Sequence, residues 1–325
     1  MYKVLTRKQL DDLDMPRSHL AEAVDCCLYR ARRGWFVVLS ACEKPHHAVL
    51  EQFSTEQGIT FPRFHGDIRD DAERLRLQIA CRRDSLLRGD VFSHISAGLI
   101  HGLDPTIIGA ERVEVSRRAP TRSYPGLFVY SRAVPADEVA LRNSYPVTSL
   151  RRTLADIALD HSLEVSVPLI SQALRDHGMT REEIRRLLMN GSRGVRRARL
   201  ALEISSELFE AASEALCAVR FHEHGITGMV PQVDVRTAAG AFIARNDFQH
   251  ETLPVVVEVH GVGKYYLHPD GPDAAAKANH QRNMNLLNAG YRVFNLTFGD
   301  LFRPKVFAEI KRCLDGMQHQ QQRRH

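Results

Sequence analysis

The spacing of apolar and polar residues is clearest in the C-terminal third of the chain. Apolar and small residues at helical spacing predict a helix over Phe209–His224 that ends at Gly225. Two apolar runs on either side of a turn, Val230–Val235 and Phe242–Phe248, predict a β-hairpin. The run Pro254–His260 is almost wholly apolar, which predicts a strand buried on both faces. We therefore expect the order helix, three strands, helix, strand, helix.

The first forty residues have a different pattern, of two helices followed by a strand. The spacing predicts helices over Thr6–Leu13 and Pro16–Arg32 and a strand over Trp35–Leu39. Thr6 suits the start of the first helix, and Gly34 suits the end of the second. This order is typical of a winged helix-turn-helix.

Short helices and strands alternate between these two regions. Breaker residues indicate a domain boundary near Asn190–Gly194. We therefore predict an α/β (α+β) chain with four segments: a winged helix-turn-helix (1–44), a mixed helical and α/β middle domain (45–190), a connecting helix (191–207) and a C-terminal α/β domain (208–317).

Composition narrows the class of protein. The chain has 325 residues, 44% of them apolar, which is enough for at least one full core. No run reaches the roughly 18 apolar residues that a membrane span needs, so we expect a soluble, cytoplasmic protein without a membrane partner. Six cysteines contain no C-x-x-C pair, which favours reduced and mostly buried thiols over a zinc ribbon.

Charge permits a nucleic-acid partner without requiring one. The net charge is +5, and several arginines are clustered in the sequence. One cluster comprises Arg30, Arg32 and Arg33 beside the predicted strand. A solvated helix face is the alternative interpretation of each cluster.

Glu258 is the most unusual residue of the predicted C-terminal sheet. It lies inside an apolar strand, where an unpaired carboxylate would be costly to bury. It must therefore hold a cation or form a buried salt bridge, for which Arg245 and Lys264 are the candidate partners. Both alternatives stay open at the level of sequence.

Two other carboxylates can reach the same corner of the sheet. Asp247 closes the preceding strand, and Glu214 lies on the first helix. Three convergent carboxylates favour a hard cation such as Mg²⁺ or Mn²⁺, which would activate water against a phosphodiester. Lys264 could stabilise the developing charge. His260, on the same strand face as Glu258, is either a base or metal ligand or a structural residue.

A series of short motifs carries a resemblance to a known family over about a hundred residues. The chain resembles the Vsr-like branch of the PD-(D/E)XK endonuclease fold in the order and spacing of these motifs. They are Ser213-Glu214, Gly225, Pro231-Gln232, Ala244-Arg245-Asn246-Asp247-Phe248, Val257-Glu258-Val259-His260-Gly261, Lys264-Tyr265, Arg282 and Gly290-Tyr291-Arg292-Val293.

This resemblance implies a restriction-endonuclease-like domain with a central four-stranded mixed sheet. It implies that Glu214, Asp247 and Glu258 bind the metal. We take His260 and Lys264 as the further candidate catalytic residues. The sequence departs from the family where an acidic residue is usual, at His260 and Asn279, and where an arginine is usual, at Asn295.

The front of the chain resembles actinobacterial proteins related to the AbiEi type of type IV antitoxin. The segments that carry this resemblance are Leu5–Val38, Ser93–Gly102 and Pro146–Leu159. It implies a DNA-binding winged helix and a possible cognate toxin protein as partner. On a helix in the major groove, Arg17, Ser18 and His19 would reach base edges, and Arg30, Arg32 and Arg33 would contact phosphates. A winged helix that contacts only proteins is the alternative.

Two hypotheses follow from the sequence. In the first, a winged helix positions a divalent-metal endonuclease on DNA. In the second, the chain is an antitoxin-like transcriptional regulator whose nuclease fold is catalytically inactive.

Overall fold

The structure is a computed structural model that describes residues 4–39, 42–53, 68–105, 107, 112–236, 240, 242–260 and 272–323. The chain is mixed α/β and divides into two compact units, Met1–Ile157 and Ala158–His325. The four segments predicted from sequence are finer than this division and stay a prediction. No helix in the described ranges is long and apolar enough to cross a membrane.

The first unit begins with a small sheet and continues into a larger one. Its elements are β1 (Val4–Thr6), α1 (Arg7–Asp12), α2 (Arg17–Val24), β2 (Leu28–Arg32), β3 (Trp35–Val38), a 3₁₀ helix (Pro45–Phe53), α3 (Ile68–Arg82), β4 (Val91–Phe92), α4 (His94–Ile100), β5 (Val113–Arg117), β6 (Arg122–Tyr124), β7 (Leu127–Ser131), β8 (Val139–Arg142) and β9 (Tyr145–Thr148). Helix α5 (Leu150–Asp160) spans the division between the units.

The small sheet has the antiparallel order β1-β3-β2 and is covered on both faces. Alternation along β3 sends Phe36 and Val38 into a core with α1, α2 and the 3₁₀ helix. Val37 points the other way and packs on Leu77 and Cys81 of α3. The predicted cap at Thr6 is observed, because its side chain accepts from the backbone of Gln9.

The predicted helix Pro16–Arg32 is wrong in its second half. Helix α2 ends at Val24, and Leu28–Arg32 is strand β2, paired with β3. The physical reason is a period of two: Leu28 faces one core and Tyr29 the other, as in a sheet buried on both sides. Gly34, with φ of +77°, therefore lies in the β2–β3 turn instead of ending a helix.

The larger sheet of the first unit has six strands in the order β6-β7-β5-β4-β9-β8. A buried polar network lies between this sheet and the start of α4. One Glu114 oxygen accepts from the backbone of Ile95 at 2.8 Å, and the other accepts from the Tyr130 hydroxyl at 2.9 Å. The ring of His94 stacks on Tyr130 at 3.6 Å, although His94 has φ of +50°, a conformation that non-glycine residues rarely adopt. The network therefore holds the start of α4 against β5.

The second unit begins with helices and continues into a four-stranded sheet with further helices. Its elements are α6 (Leu163–Asp176), α7 (Arg181–Arg185), α8 (Val195–Ile204), α9 (Ala212–Glu223), β10 (Met229–Arg236), β11 (Phe242–His250), β12 (Val255–His260), α10 (Pro272–Asn288), β13 (Arg292–Thr297), a 3₁₀ helix (Phe298–Phe302) and α11 (Pro304–Gln322).

From α9 onward, the elements follow the chain order predicted from the sequence: helix, three strands, helix, strand, helix. Strands β10, β11 and β12 are antiparallel neighbours, and β13 pairs parallel to β12, which makes a four-stranded mixed sheet. Strand β12 is buried from Val255 to Val259. Phe248 of β11 packs edge-on against Phe221 of α9 at 5.1 Å, and Val256 packs with Leu286 of α10. The sheet is therefore covered by α9 and α10.

Candidate functional site

Gln232 on β10, Asp247 on β11 and Glu258 on β12 lie on neighbouring strands of the second unit's sheet, and we refer to these three residues as the row. The pairs Pro231–Phe248 and Val233–Asn246 flank Gln232 and Asp247, and the pairing of β11 with β12 ends at Phe248 and Val257, next to Asp247 and Glu258. Gln232 has φ of +54°, a left-handed conformation in the middle of a strand. Strained backbone of this kind is concentrated at functional sites, so this row is a candidate functional site.

Glu214 approaches the row from α9. Its side chain is fully buried in the first turn of the helix. One carboxylate oxygen accepts from the backbone N–H of Glu210 at 2.9 Å and from the side-chain amide of Gln232 at 3.0 Å. The strained Gln232 thus connects Glu214 to the sheet.

Asp247 is also buried, and it accepts from the backbone N–H of Val259 at 2.7 Å. Burial raises the pKa of the Cys217 thiol well above its usual range, and the charges of Asp247 and Glu214 raise it further. Cys217 lies one turn along α9 from Glu214.

Glu258 forms the buried salt bridge that the sequence left open, with a partner other than the two considered. Both of its oxygens accept from Nη2 of Arg282 at 2.8 Å, and the carboxylate is buried. Arg282 lies on α10 and also donates to the carbonyl of Arg245. Arg245 itself pairs with Asp234 at 2.9 Å. The charge of Glu258 is thus compensated by a guanidinium.

The three carboxylates do not gather as one ligand set. Two groups of histidine, cysteine, aspartate or glutamate in the described part of the chain bring their ligand atoms within 4.8 Å of one another, and neither contains Glu214, Asp247 or Glu258. The arrangement gives no support for Mg²⁺ or Mn²⁺.

The remaining predicted catalytic residues have separate positions. His260 ends β12, and its Nε2 lies 2.9 Å from Oδ1 of Asn295 on β13. Lys264 lies outside the described residues. The side chain expected to stabilise transition-state charge is therefore not part of the described site, whereas His260 has a structural partner.

The predicted DNA-contact residues fall on two elements of the first unit. Arg17 and Ser18 are exposed in the first turn of α2, and the half-buried His19 ring lies 4.5 Å from that of His46. Arg30 is exposed on β2, and Arg33 is exposed in the β2–β3 turn.

Arg32 differs from its neighbours because it is held within the unit. Its Nη2 donates to the carbonyl of Cys81 at 2.9 Å and to the Ser85 hydroxyl at 3.1 Å. Its guanidinium also lies 4.4 Å from the centre of the Trp35 ring. These contacts fix the hairpin on α3.

A cluster of cysteine and histidine that the sequence analysis did not predict lies beside this small sheet. Cys26 and Cys27 follow α2, Cys42 follows β3, and His47 lies in the 3₁₀ helix. Their ligand atoms lie within 4.8 Å of one another, so this cluster can hold a metal ion. Burial lowers the pKa of His47, which favours the neutral imidazole that metals bind.

The sequence carried a weak signal for this cluster. The ligands are two consecutive cysteines, a third after fourteen residues and a histidine after four more, so no C-x-x-C pair marks them. The interpretation of the cysteines as separate thiols was incomplete, because the chain turn after α2 and the end of β3 bring distant positions together.

Comparison of the chain with models of known protein families and with curated proteins finds no match.

Proposed function

We propose that this chain is a DNA-binding protein of the antitoxin-like regulator type, in which the segment from β1 to β3 is a winged helix-turn-helix that contacts DNA. The observation that carries the proposal is the exposure of Arg17 and Ser18 at the start of α2 together with Arg30 and Arg33 on the adjacent hairpin. A second helix followed by a two-stranded wing is the arrangement in which winged helices enter a major groove.

The two sets of exposed residues have different expected roles. Arg17 and Ser18 lie at the helix end that reads base edges in such domains. Arg30 and Arg33 lie on the strand and turn of the wing, where cations meet phosphates. Arg32 is excluded from this role because its guanidinium bonds Cys81 and Ser85.

The geometry of the second unit favours the regulator over the nuclease. A metal at the predicted acidic site would need Glu258, whose two oxygens already accept from Arg282. With the positive charge supplied by an arginine, the carboxylate has a structural role in the sheet. A protein toxin remains the proposed partner implied by the resemblance of the first unit.

DNA binding is tested by fluorescence anisotropy with a short mixed-sequence duplex over a range of salt concentrations. Phosphate contacts release counterions, so log affinity should fall with log salt by about 0.9 per contact. We expect Arg30→Ala with Arg33→Ala to reduce this slope by roughly two and to weaken binding to all sequences. The charge-matched control is the exposed pair Arg118→Ala with Arg142→Ala, which should leave the slope unchanged. Equal slopes for the two double variants would exclude the proposed wing contacts.

A divalent-metal endonuclease is the second candidate. It is favoured by the row of Gln232, Asp247 and Glu258 and by the bond from Gln232 to Glu214, which concentrate buried carboxylates beside strained backbone. Plasmid nicking with Mg²⁺ or Mn²⁺ tests it on wild type, Asp247→Asn and Glu258→Gln. Cleavage that is lost in both variants would favour the nuclease. Salt-sensitive binding without cleavage would favour the regulator, and cleavage that persists in both would exclude this site.

A further inference from the structure

Four potential metal ligands surround one point at the edge of the first unit's small sheet. The Sγ atoms of Cys26 and Cys27 are 3.6 Å apart, and those of Cys26 and Cys42 are 3.8 Å apart. Nδ1 of His47 lies 3.3 Å from Sγ of Cys26, 3.7 Å from Cys27 and 3.4 Å from Cys42. The imidazole nitrogen therefore faces all three sulfurs at once.

These separations match the edges of a zinc tetrahedron. With Zn–S near 2.3 Å and Zn–N near 2.0–2.1 Å, two sulfurs are about 3.8 Å apart and a sulfur and a nitrogen about 3.6 Å apart. A disulfide requires two sulfurs at about 2.05 Å, which is far shorter than the distances between Cys26 and either neighbour. The cluster thus has the dimensions of a coordinated site.

Burial and charge suit the same interpretation. Cys27 and His47 are each 1% exposed, so ligand atoms that point at one another here are largely removed from water. Three thiolates with a neutral imidazole would leave a Zn²⁺ site with one excess negative charge. Lys44 lies in the same segment, two residues after Cys42. The ammonium of Lys44 bonds Glu22 at 2.6 Å.

We propose that Cys26, Cys27, Cys42 and His47 bind one Zn²⁺ ion as a structural site. Four protein ligands of the type Cys₃His close the coordination shell and leave no position for water or substrate, which is the pattern of structural zinc. The ion would connect the end of α2, the segment after β3 and the 3₁₀ helix Pro45–Phe53. These segments are also joined through the small apolar core around Leu28 and Leu50 and by the pairing of Glu22 with Lys44 and His46.

The choice of Zn²⁺ follows from the ligand atoms. Thiolates exclude Mg²⁺, Mn²⁺ and Ca²⁺, which prefer oxygen. The second group within 4.8 Å, formed by Glu22, His46 and His47, is less suited to a metal because Glu22 is already paired with Lys44 and with Nε2 of His46 at 2.8 Å. This inference does not depend on DNA binding.

The first test uses the full wild-type chain, purified under reducing conditions without chelator. We expect elemental analysis to find one zinc per chain and X-ray absorption at the zinc edge to give about three sulfur neighbours and one nitrogen. Metal-free protein titrated with Co²⁺ should develop the visible bands of tetrahedral cobalt thiolate at one equivalent. Absence of both zinc and the cobalt spectrum would overturn the proposal, as would recovery of a Cys26–Cys42 disulfide under reducing conditions.

Variants locate the ion. Cys42→Ser and His47→Ala should each lose most of the bound zinc, whereas Cys313→Ser, a half-buried cysteine of the second unit, should retain one zinc per chain. Chelation of the wild-type ion should lower the midpoint of the unfolding transition reported by the fluorescence of Trp35, the single tryptophan of the chain, which lies on β3. Zinc retained at full occupancy in both ligand variants would place the ion elsewhere and contradict the assignment.

Discussion

Glu258 and Arg282 form an ion pair with unequal exposure. The Glu258 side chain is 3% exposed, whereas the Arg282 side chain is 31% exposed. The carboxylate depends on the guanidinium, because a buried charge without a partner is costly, whereas the arginine could recover its hydration if the pair were broken. The two single substitutions should therefore have different consequences.

We expect Arg282→Met to lower the free energy of unfolding by up to about 3 kcal/mol, because it leaves the Glu258 carboxylate buried without its cation. The double variant Arg282→Met with Glu258→Gln should recover much of that loss. Urea denaturation followed by circular dichroism measures both. Arg312→Met, at an exposed position on α11, is the control and should change stability by less than about 0.5 kcal/mol. A double variant no more stable than Arg282→Met would contradict the pairing.

His250 gives the second unit a dependence on pH. Burial lowers the pKa of His250 below its ordinary value of 6.5, and its Nδ1 accepts from the backbone N–H groups of Thr252 and Leu253, each at 3.2 Å. Only the neutral ring can accept there. Between pH 6.5 and the lowered pKa the unfolded chain binds more protons than the folded chain, so stability falls as the pH falls.

We therefore expect His250→Asn, which keeps an acceptor and removes the titration, to reduce the loss of stability between about pH 6.5 and pH 5. The limit for one proton is about 1.4 kcal/mol per pH unit. Urea midpoints measured across this range test it, with His319→Asn on the exposed end of α11 as the control. A pH profile of His250→Asn that matches wild type would show that another group carries the dependence.

At the scale of elements, the start of α8 depends on one close backbone approach. Gly194 has φ of +81° at the N-cap of α8, and a Cβ there would overlap the carbonyl oxygen of Leu159. Gly191 has nearly the same φ, +82°, but no atom lies within 4 Å of where its Cβ would be. Substitution of Gly191 by alanine therefore measures the free-energy cost of the left-handed backbone alone, whereas substitution of Gly194 adds the cost of the steric clash.

Gly191→Ala should cost about 1 kcal/mol, the price of a left-handed alanine. Gly194→Ala carries the same strain and must also displace the Leu159 backbone, so we expect a loss of about 3 kcal/mol or more. Thermal unfolding followed by circular dichroism compares the two variants with wild type. Similar midpoints for both would mean that Leu159 can move away at little cost.

Elements were predictable where one periodicity dominated. The order from α9 to α11 and the buried strand β12 followed from the alternation of apolar runs and breakers. Strand β2 was not predictable from the sequence. Its segment Leu28–Arg32 contains basic residues typical of a helix end, and its alternation can be recognised only when both faces of the sheet are known to be buried. Strands of two to four residues, such as β4 and β8, are too short to show a period.

At the scale of the molecule, sites that combine distant segments were the least predictable. Glu214, Asp247 and Glu258 were placed on the correct helix and strands, but the partner of Glu258 comes from α10, a helix whose orientation no local pattern gives. The cysteine and histidine cluster joins three segments across β2 and β3, and its spacing matches no common zinc motif. Tertiary structure brings these residues together, which is why the sequence alone did not.

The short α2 helix limits how much DNA sequence the proposed reader can distinguish. Its eight residues extend only about 12 Å at 1.5 Å per residue, which spans roughly three to four base pairs at 3.4 Å each. A genome contains about 10⁶ to 10⁹ competing sites, so a DNA sequence of three to four base pairs occurs far too often to specify one locus. A regulator that uses this helix therefore needs additional DNA contacts to recognise one site. A second copy of the chain, or a partner bound to neighbouring DNA, would supply them.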